Sequence, residues 1–249
     1  MIPYQSKVRF IVHTGVYNII RQGEIVDKQI KSKERVTDRG EVFTAEREVK
    51  AMCDLVKEET ERIDSRFLEP ACGNGNFLAE ILRRKLEVVK NKYKKNPYDY
   101  ELNSVLAITS IYGVEIMHDN VLECRKRLFD IWNKEYTAVC KKDANDDCRE
   151  IVQYILELNI LCGNALSLKK VDENCKDTEE PIIFAEWTFV TGAMLKRRDF
   201  RLDEMLEGHT QQMSLFMTGW EYDEEVQAYI PLPLREYPPT HYRRIKENG

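Results

Sequence analysis

The 249-residue chain is 43% hydrophobic and 33% charged, with 38 basic against 43 acidic side chains and a net charge of −5. That length can bury one sizeable core, and 11 Gly, 8 Pro, 12 Tyr and 9 Phe exclude a collagen-like, mucin-like or wholly disordered polymer. The acidic balance gives no molecule-wide pull on a polyanion, so any nucleic-acid contact requires a local basic face.

No stretch approaches the roughly 18–20 consecutive apolar residues of a membrane span, and MIPYQSKVRFIVHTG lacks the apolar run of a secretory signal. The 7 cysteines form no CxxC pair, which argues against a zinc ribbon and a disulfide framework. With only 4 separated histidines, a histidine-rich metal centre is not expected. The simplest setting is a reducing cytoplasm, with no membrane partner.

Residues 1–30 read as an extension with a short alternating run at Val8, Phe10 and Val12. Thr44 fits a helix cap, and Val49, Met52, Leu55 and Val56 give an amphipathic helix from Ala45 to Arg62. RFLEPACGNGNFLAEILRRKLEVVKNKYKK reads as strand, glycine turn and helix, ending in a loop around Asn96-Pro97. SVLAITSIYGVEI ends in a second strand, VLECRKRLFDIWNKEY is a helix, and Asp146 to Leu158 is another. NILCGNALSL is a short strand into a turn, KKVDENCKDTEE a charged loop, and PIIFAEWTF a fourth strand. This alternation predicts an α/β fold with a parallel sheet. Beyond Thr191, KRRDFRLDEMLE reads as a short helix, and IPLPLREYPPTHYRRIKENG as an extended tail packed on something else. The expected division is therefore an extension over 1–30, a nucleotide-type domain over 31–190, and a basic segment with a proline-rich tail over 191–249.

The segment richest in chemistry is Phe67-Leu68-Glu69-Pro70-Ala71-Cys72-Gly73-Asn74-Gly75-Asn76-Phe77-Leu78. A strand enters, two glycines one residue apart make a tight turn, and a helix N-terminus offers amide donors to a ligand. Such a turn lies where nucleotide-type ligands bind parallel sheets. A third glycine is lacking, and Glu69 before the turn suits a cationic amine better than a pyrophosphate.

Glu-Pro-Ala-Cys-Gly-Asn-Gly-Asn-Phe-Leu resembles the S-adenosylmethionine loop of amino-group DNA methyltransferases of restriction–modification systems. The resemblance continues in order over about half the chain, from Lys31 to Ser167. GEVFT, at Gly40 to Thr44, is similar to that family's N-terminal motif, which implies that Phe43 packs near the methionine part of the cofactor. IYGVEI closes the second strand with Glu115, at the family's acceptor for the ribose hydroxyls, and Ile116 follows it. NILCGNALS supplies Asn164 and Ala165 at the place of the residues around the adenine amine. The implied cofactor set is Phe43, Thr44, Glu69, Pro70, Ala71, Cys72, Gly73, Asn74, Gly75, Phe77, Glu115, Ile116, Asn164 and Ala165. The implied fold is a Rossmann-like S-adenosylmethionine-dependent methyltransferase sheet with an N-terminal helical segment and an extended C-terminal tail.

The family signature that holds the acceptor amine, a polar residue followed by Pro-Pro and an aromatic, is missing. The corresponding strand reads Ile182-Ile183-Phe184-Ala185-Glu186-Trp187-Thr188-Phe189. Glu186 as acceptor and Trp187 as stacking ring are the only substitutes there, against the alternative that Trp187 and Phe189 are packing residues. Tyr237-Pro238-Pro239-Thr240 has the wrong residues on either side of its prolines, and no Pro-Cys marks a pyrimidine-ring nucleophile. The C-terminal half is also short for the family, so either the tail or another polypeptide completes the sheet. Two basic runs, Arg83-Arg84-Lys85 with Lys90, Lys92, Lys94 and Lys95, and Lys196-Arg197-Arg198 with Arg201, are the candidate DNA contacts. The resemblance implies a DNA adenine methyltransferase that needs a second subunit, or else a catalytically silent cofactor-binding subunit of a DNA-modification complex.

Overall fold

The computed structural model describes residues 30–39, 41–207, 220–223 and 228–248. The alternating run at Val8, Phe10 and Val12 lies outside them. Three helical pieces come first, α1 (Lys33–Arg39), α2 (Glu46–Leu55) and the single turn α3 (Lys57–Thr60). A parallel ladder follows, β1 (Phe67–Glu69), β2 (Ile111–Glu115) and β3 (Ile160–Asn164), with Phe67 opposite Ile111 and Gly113 opposite Ile160. Helices α4 (Asn76–Tyr93) and α5 (Pro97–Thr109) join β1 to β2, and α6 (His118–Cys140) and α7 (Asp146–Asn159) join β2 to β3. This is the α/β arrangement with a parallel sheet expected from the alternation of strands and helices, and the Rossmann-like sheet that the resemblance implies.

The two-residue strand period sorts the side chains between two cores. Ile111 and Ile160 face the helices, packing in one cluster with Leu78, Leu82, Val105, Leu128 and Ile155. Leu68, Tyr112, Val114 and Leu161 face the other way, against Ile182, Phe184 and Leu202. Helices cover one face of the sheet, and the chain after β3 covers the other.

That later chain departs from the sequence reading. The charged loop is a hairpin, β4 (Lys169–Val171) and β5 (Asp177–Pro181), paired antiparallel onto β3. β6 (Ile183–Thr191) is a strand as expected, but it does not join the parallel sheet. It pairs antiparallel with β7 (Met194–Arg201), so KRRDFR is strand rather than helix, and only α8 (Leu202–Glu207) is helical there. The register sets Glu186 beside Arg198, so opposite charges pair across the hairpin where a helix would have spread them over its surface.

β8 (Trp220–Asp223) and β9 (Ala228–Pro231) pair with each other. β10 (Arg235–Glu236) and β11 (Thr240–His241) add to β7. The proline-rich tail does pack onto something. Its last 3-10 turn buries Tyr242 and Ile245 in the helical core, where Tyr242 and Arg243 donate to the buried Glu101 carboxylate of α5.

Helix boundaries also differ from expectation. The helix read over Ala45 to Arg62 breaks at Val56, and Ala45, not Thr44, is its cap. Asn96-Pro97 opens α5 instead of a loop: Asn96 Oδ1 accepts from the Tyr98 and Asp99 amides, and proline takes the first helical position.

Candidate cofactor-binding site

The site lies at the carboxyl ends of β1, β2 and β3. β1 runs into Pro70 and Ala71, and the Cys72 amide donates to Val114 O at 3.0 Å, tying the turn to β2. Gly73 (φ +52) and Gly75 (φ +84) both occupy the left-handed region, which explains their residue type. A Cβ on Gly75 would come within 2.6 Å of Cys124 Sγ, so the turn also needs close approach to α6. Gly75 caps α4 and, as glycine, has no side chain of its own to accept from that helix's first amides. They point at the place where an anionic or polar ligand group can be held.

Three segments far apart in sequence meet at Gly73. Glu115, at the end of β2 and 8% exposed, accepts from the Gly73 amide through Oε2 and from the Met117 amide through Oε1, each at 2.9 Å. Phe43 comes from the N-terminal segment, and its ring would stand 3.1 Å from a Cβ on Gly73. The Thr44 carbonyl accepts from Asn76 Nδ2 at 2.9 Å, fixing that segment to the start of α4. Asn74 donates to Glu123, and Arg127 reaches Asn76 Oδ1 at 2.5 Å.

Burial pushes the Glu69 carboxyl up to about 7, against the opposing hydrogen bond from the Ala71 amide. The Cys72 thiol is held well above its ordinary value by the Cys124 thiol beside it and by burial, which makes it packing rather than nucleophile. Phe77 packs with Val49, Cys53, Phe67 and Ile81 between α2, β1 and α4, rather than standing at the open mouth. At the end of β3, Asn164 Oδ1 accepts from the Leu166 amide and Nδ2 donates to Asp177, an Asx turn that presents Ala165 beside it. Ile116 lies beyond Glu115, with its carbonyl 3.6 Å from Cys162 Sγ.

Sequence reasoning missed the fastening of the Phe43 segment. Arg35 of α1 pairs with Asp119 at 2.7 Å and Glu41 at 2.5 Å, while Lys31 pairs with Asp119 and Glu123. Asn120 donates to Glu41 at 2.5 Å. The Arg35 guanidinium holds the Asp119 carboxyl down at about 2. The available signal was Asp119 in the first turn of α6, beside the positive end of its dipole.

Glu186 and Trp187 do not join this cluster. Trp187 is 2% exposed and donates from Nε1 to Asn159, which itself donates to the Ile111 carbonyl at the start of β2. Glu186 pairs with Arg66, just before β1, and with Arg198 at 3.0 Å. Burial pushes its carboxyl up, but these two guanidinium groups outweigh it and keep it below the ordinary range. Both residues sit at the amino ends of the strands, and the length of β2, four residue steps from Ile111 to Glu115, separates them from Glu115 by about 13 Å of strand.

The basic runs fare similarly. On β7, Lys196 pairs with Glu236, Arg197 with Asp199, and Arg201 with Asp203. Lys85 is buried, and Arg84 is paired with Glu80 and Asp54. Lys92, Lys94 and Lys95 are exposed at the far end of α4, about 27 Å from the glycine turn given 18 residues of helix.

Residues 43–218 match the family model described as MmeI, DNA-methyltransferase domain. The chain belongs to this family. It is thus a DNA methyltransferase of the restriction–modification type, and the match spans the glycine turn, Glu115 and Asn164. Comparison with curated proteins and with solved structures gives no match. Among the described residues of this methyltransferase domain, no helix is long and apolar enough to cross a membrane, and no cluster of three or more His, Cys, Asp or Glu is placed to hold a metal ion.

Proposed function

We propose that the domain binds S-adenosylmethionine at the glycine turn and serves methyl transfer to the amino group of adenine in DNA, with a second polypeptide supplying the acceptor-binding residues. The observation that carries the reading is the meeting of Phe43, Gly73 and Glu115 at one point. The fit rests on chemistry present in the chain: a carboxylate held by two backbone amides, a helix start with no side-chain cap, and an aromatic ring over a glycine.

In this reading Glu115 accepts from the ribose hydroxyls, and Phe43 and Thr44 lie along the methionine part. Glu69 faces its ammonium group, with Pro70, Ala71, Cys72, Asn74 and Gly75 shaping the turn and Phe77 supporting it from behind. Ile116 and Ala165 flank the adenine ring, and Asn164 meets its amine. When bound, the cofactor supplies a methyl on a sulfonium. What the chain adds is orientation and charge, since holding the reacting atoms in line can supply roughly 7–11 kcal/mol of the barrier.

The position of Glu186 and Trp187 favours the reading that this chain alone is silent. A tritiated-methyl assay on mixed genomic DNA separates the cases. No incorporation by the chain, with saturable cofactor binding by calorimetry, is the expected result. Incorporation that vanishes in Glu186→Ala would reinstate a variant catalytic motif and overturn the need for a second polypeptide.

A further inference from the structure

We propose that Arg35 is a positioning residue for cofactor binding: by clasping Glu41 and Asp119 together it holds the segment that carries Phe43 against the glycine turn, and this clasp sets how long the cofactor stays. The inference deepens the reading above and rests on it for the identity of the ligand.

Residues 41–45 belong to no helix or strand, so no backbone ladder fixes the place of Phe43. Side-chain ties stand on either side of it instead. After it, Asn76 Nδ2 donates to the Thr44 carbonyl. Before it, the Glu41 carboxylate accepts from Arg35 Nη2 at 2.8 Å and from Asn120 Nδ2 on the same oxygen, with Arg35 Nε 2.5 Å from the other. The rest of the guanidinium closes on Asp119 at the start of α6, Nη1 to Oδ2 at 2.7 Å and Nη2 to Oδ1 at 3.1 Å. One planar cation thus bridges a carboxylate on the Phe43 segment and a carboxylate on the domain, a task for the fixed fork of arginine. The Glu41 amide also donates to the Arg35 carbonyl at 3.3 Å, which folds the chain back from α1.

The clasp reaches the glycine turn itself. Lys31 pairs with Asp119 and Glu123, and Glu123 accepts from Asn74 Nδ2 at 3.1 Å. Asp119 and Glu123 stand four residues apart on α6, a spacing at which like charges repel and weaken a helix. Lys31 and Arg35 from the N-terminal segment relieve that repulsion.

Packing does not account for the arrangement. The one apolar residue of α1, Val36, joins none of the three apolar clusters. The Asp119 side chain is 52% exposed, and an ion pair that open adds little stability by itself. What the clasp does fix is position. Phe43 follows Glu41 by two residues, and its ring lies where a Cβ on Gly73 would meet it at 3.1 Å. Opening the clasp leaves that ring tied from one side only.

The test uses the full chain loaded with tritiated S-adenosylmethionine and chased with excess unlabelled cofactor. Arg35→Gln should release the label about tenfold faster, since it loses charge-assisted bonds to two carboxylates. In a Phe43→Ala background the same substitution should change release by less than about twofold, because the two residues act as one unit. Hydrogen exchange in the cofactor-free Arg35→Gln chain should quicken at the amides of Val42, Phe43 and Thr44 and stay unchanged at Val114 of β2. If Arg35→Gln fails to fold, Asp119→Asn opens the solvent end of the clasp and carries the same expectations. Unchanged release would overturn the proposal. A full tenfold effect without the Phe43 ring would show that Arg35 acts by another route, and overturns it as well. Exchange that quickens at Val114 too would reduce the clasp to general stability and do the same. A parent chain that takes up no labelled cofactor would sink the function, and exchange at 42–44 would then still decide whether Arg35 places Phe43.

Discussion

The two ends of the parallel sheet hold their polar groups in opposite ways. At the amino ends every buried charge described above is saturated. Lys85, on α4, donates to the carbonyls of Arg62, Ile63 and Ser65 and to the Ser110 hydroxyl, all within 3.0 Å. Glu186 lies between two arginines, and Asn159 bridges Trp187 and Ile111. At the carboxyl ends Glu115 is held by neutral amides, Glu69 by one amide, and α4 starts without a side-chain cap. A carboxylate with four lone-pair sites and two neutral donors can still accept from a ligand, whereas one clasped by two guanidinium groups has little left to offer. The difference separates scaffold from site without reference to any family.

The largest expected effect comes from breaking the saturated end. Lys85→Met removes the donor to three carbonyls, of which those of Ile63 and Ser65 are buried, and should cost about 3 kcal/mol, which lowers Tm by roughly 6–12 °C in a chain of this size. Circular dichroism melts check it. Below the transition the variant should bind cofactor as the parent does. An unchanged Tm would mean that the amino end is not the scaffold.

Breaking the other end should invert the pattern. Glu115→Ala should weaken S-adenosylmethionine binding by about 1.5–3 kcal/mol, with a smaller loss of stability than Lys85→Met. Calorimetry gives the first number and thermal melts the second. Unchanged affinity would remove Glu115 from the site.

The pH dependence sharpens the same contrast. Because burial raises the Glu69 carboxyl to about 7, the folded chain binds that proton more tightly than the unfolded one. The stability this group contributes is therefore greatest below the unfolded value of about 4.3 and fades as pH climbs towards 7. A cationic ligand favours the ionised form, so cofactor affinity should run the other way. It should rise on the order of tenfold between pH 6 and pH 7.5 and then level off. Titration calorimetry in Glu69→Gln should show a nearly flat profile. A parent profile just as flat would place Glu69 away from the cationic group.

The same contrast explains what the sequence discloses. The glycine turn is legible because Gly73 and Gly75 need positive φ, a demand written into residue type. β2 and β3 are legible as short apolar, β-branched runs between helical periods. α5 was misread although its signal was present, since Asn96-Pro97 suits a helix start as well as a turn. β7 was misread because the pairing of Lys196 with Glu236 and of Arg198 with Glu186 depends on which strands become neighbours, and no local window of sequence contains that information. The same blindness made its charges look available to DNA.

The smallest expected effect follows from that correction. Lys196→Gln removes a charge that sits 2.6 Å from Glu236, with 27% of the lysine side chain and 52% of the glutamate side chain exposed. An ion pair this open contributes roughly 0–1 kcal/mol, so stability should barely move. Any DNA affinity of the domain should also stay within about twofold, and its slope against salt should be unchanged, because a neutralised lysine has no condensed counterion to displace from a phosphate. Filter binding across a salt series reads both quantities. If the slope instead falls by about one, the pair opens on DNA and the β7 face is a contact surface after all. The hairpin would then belong with the ligand-facing carboxyl ends, and the division between scaffold and site would have to be redrawn.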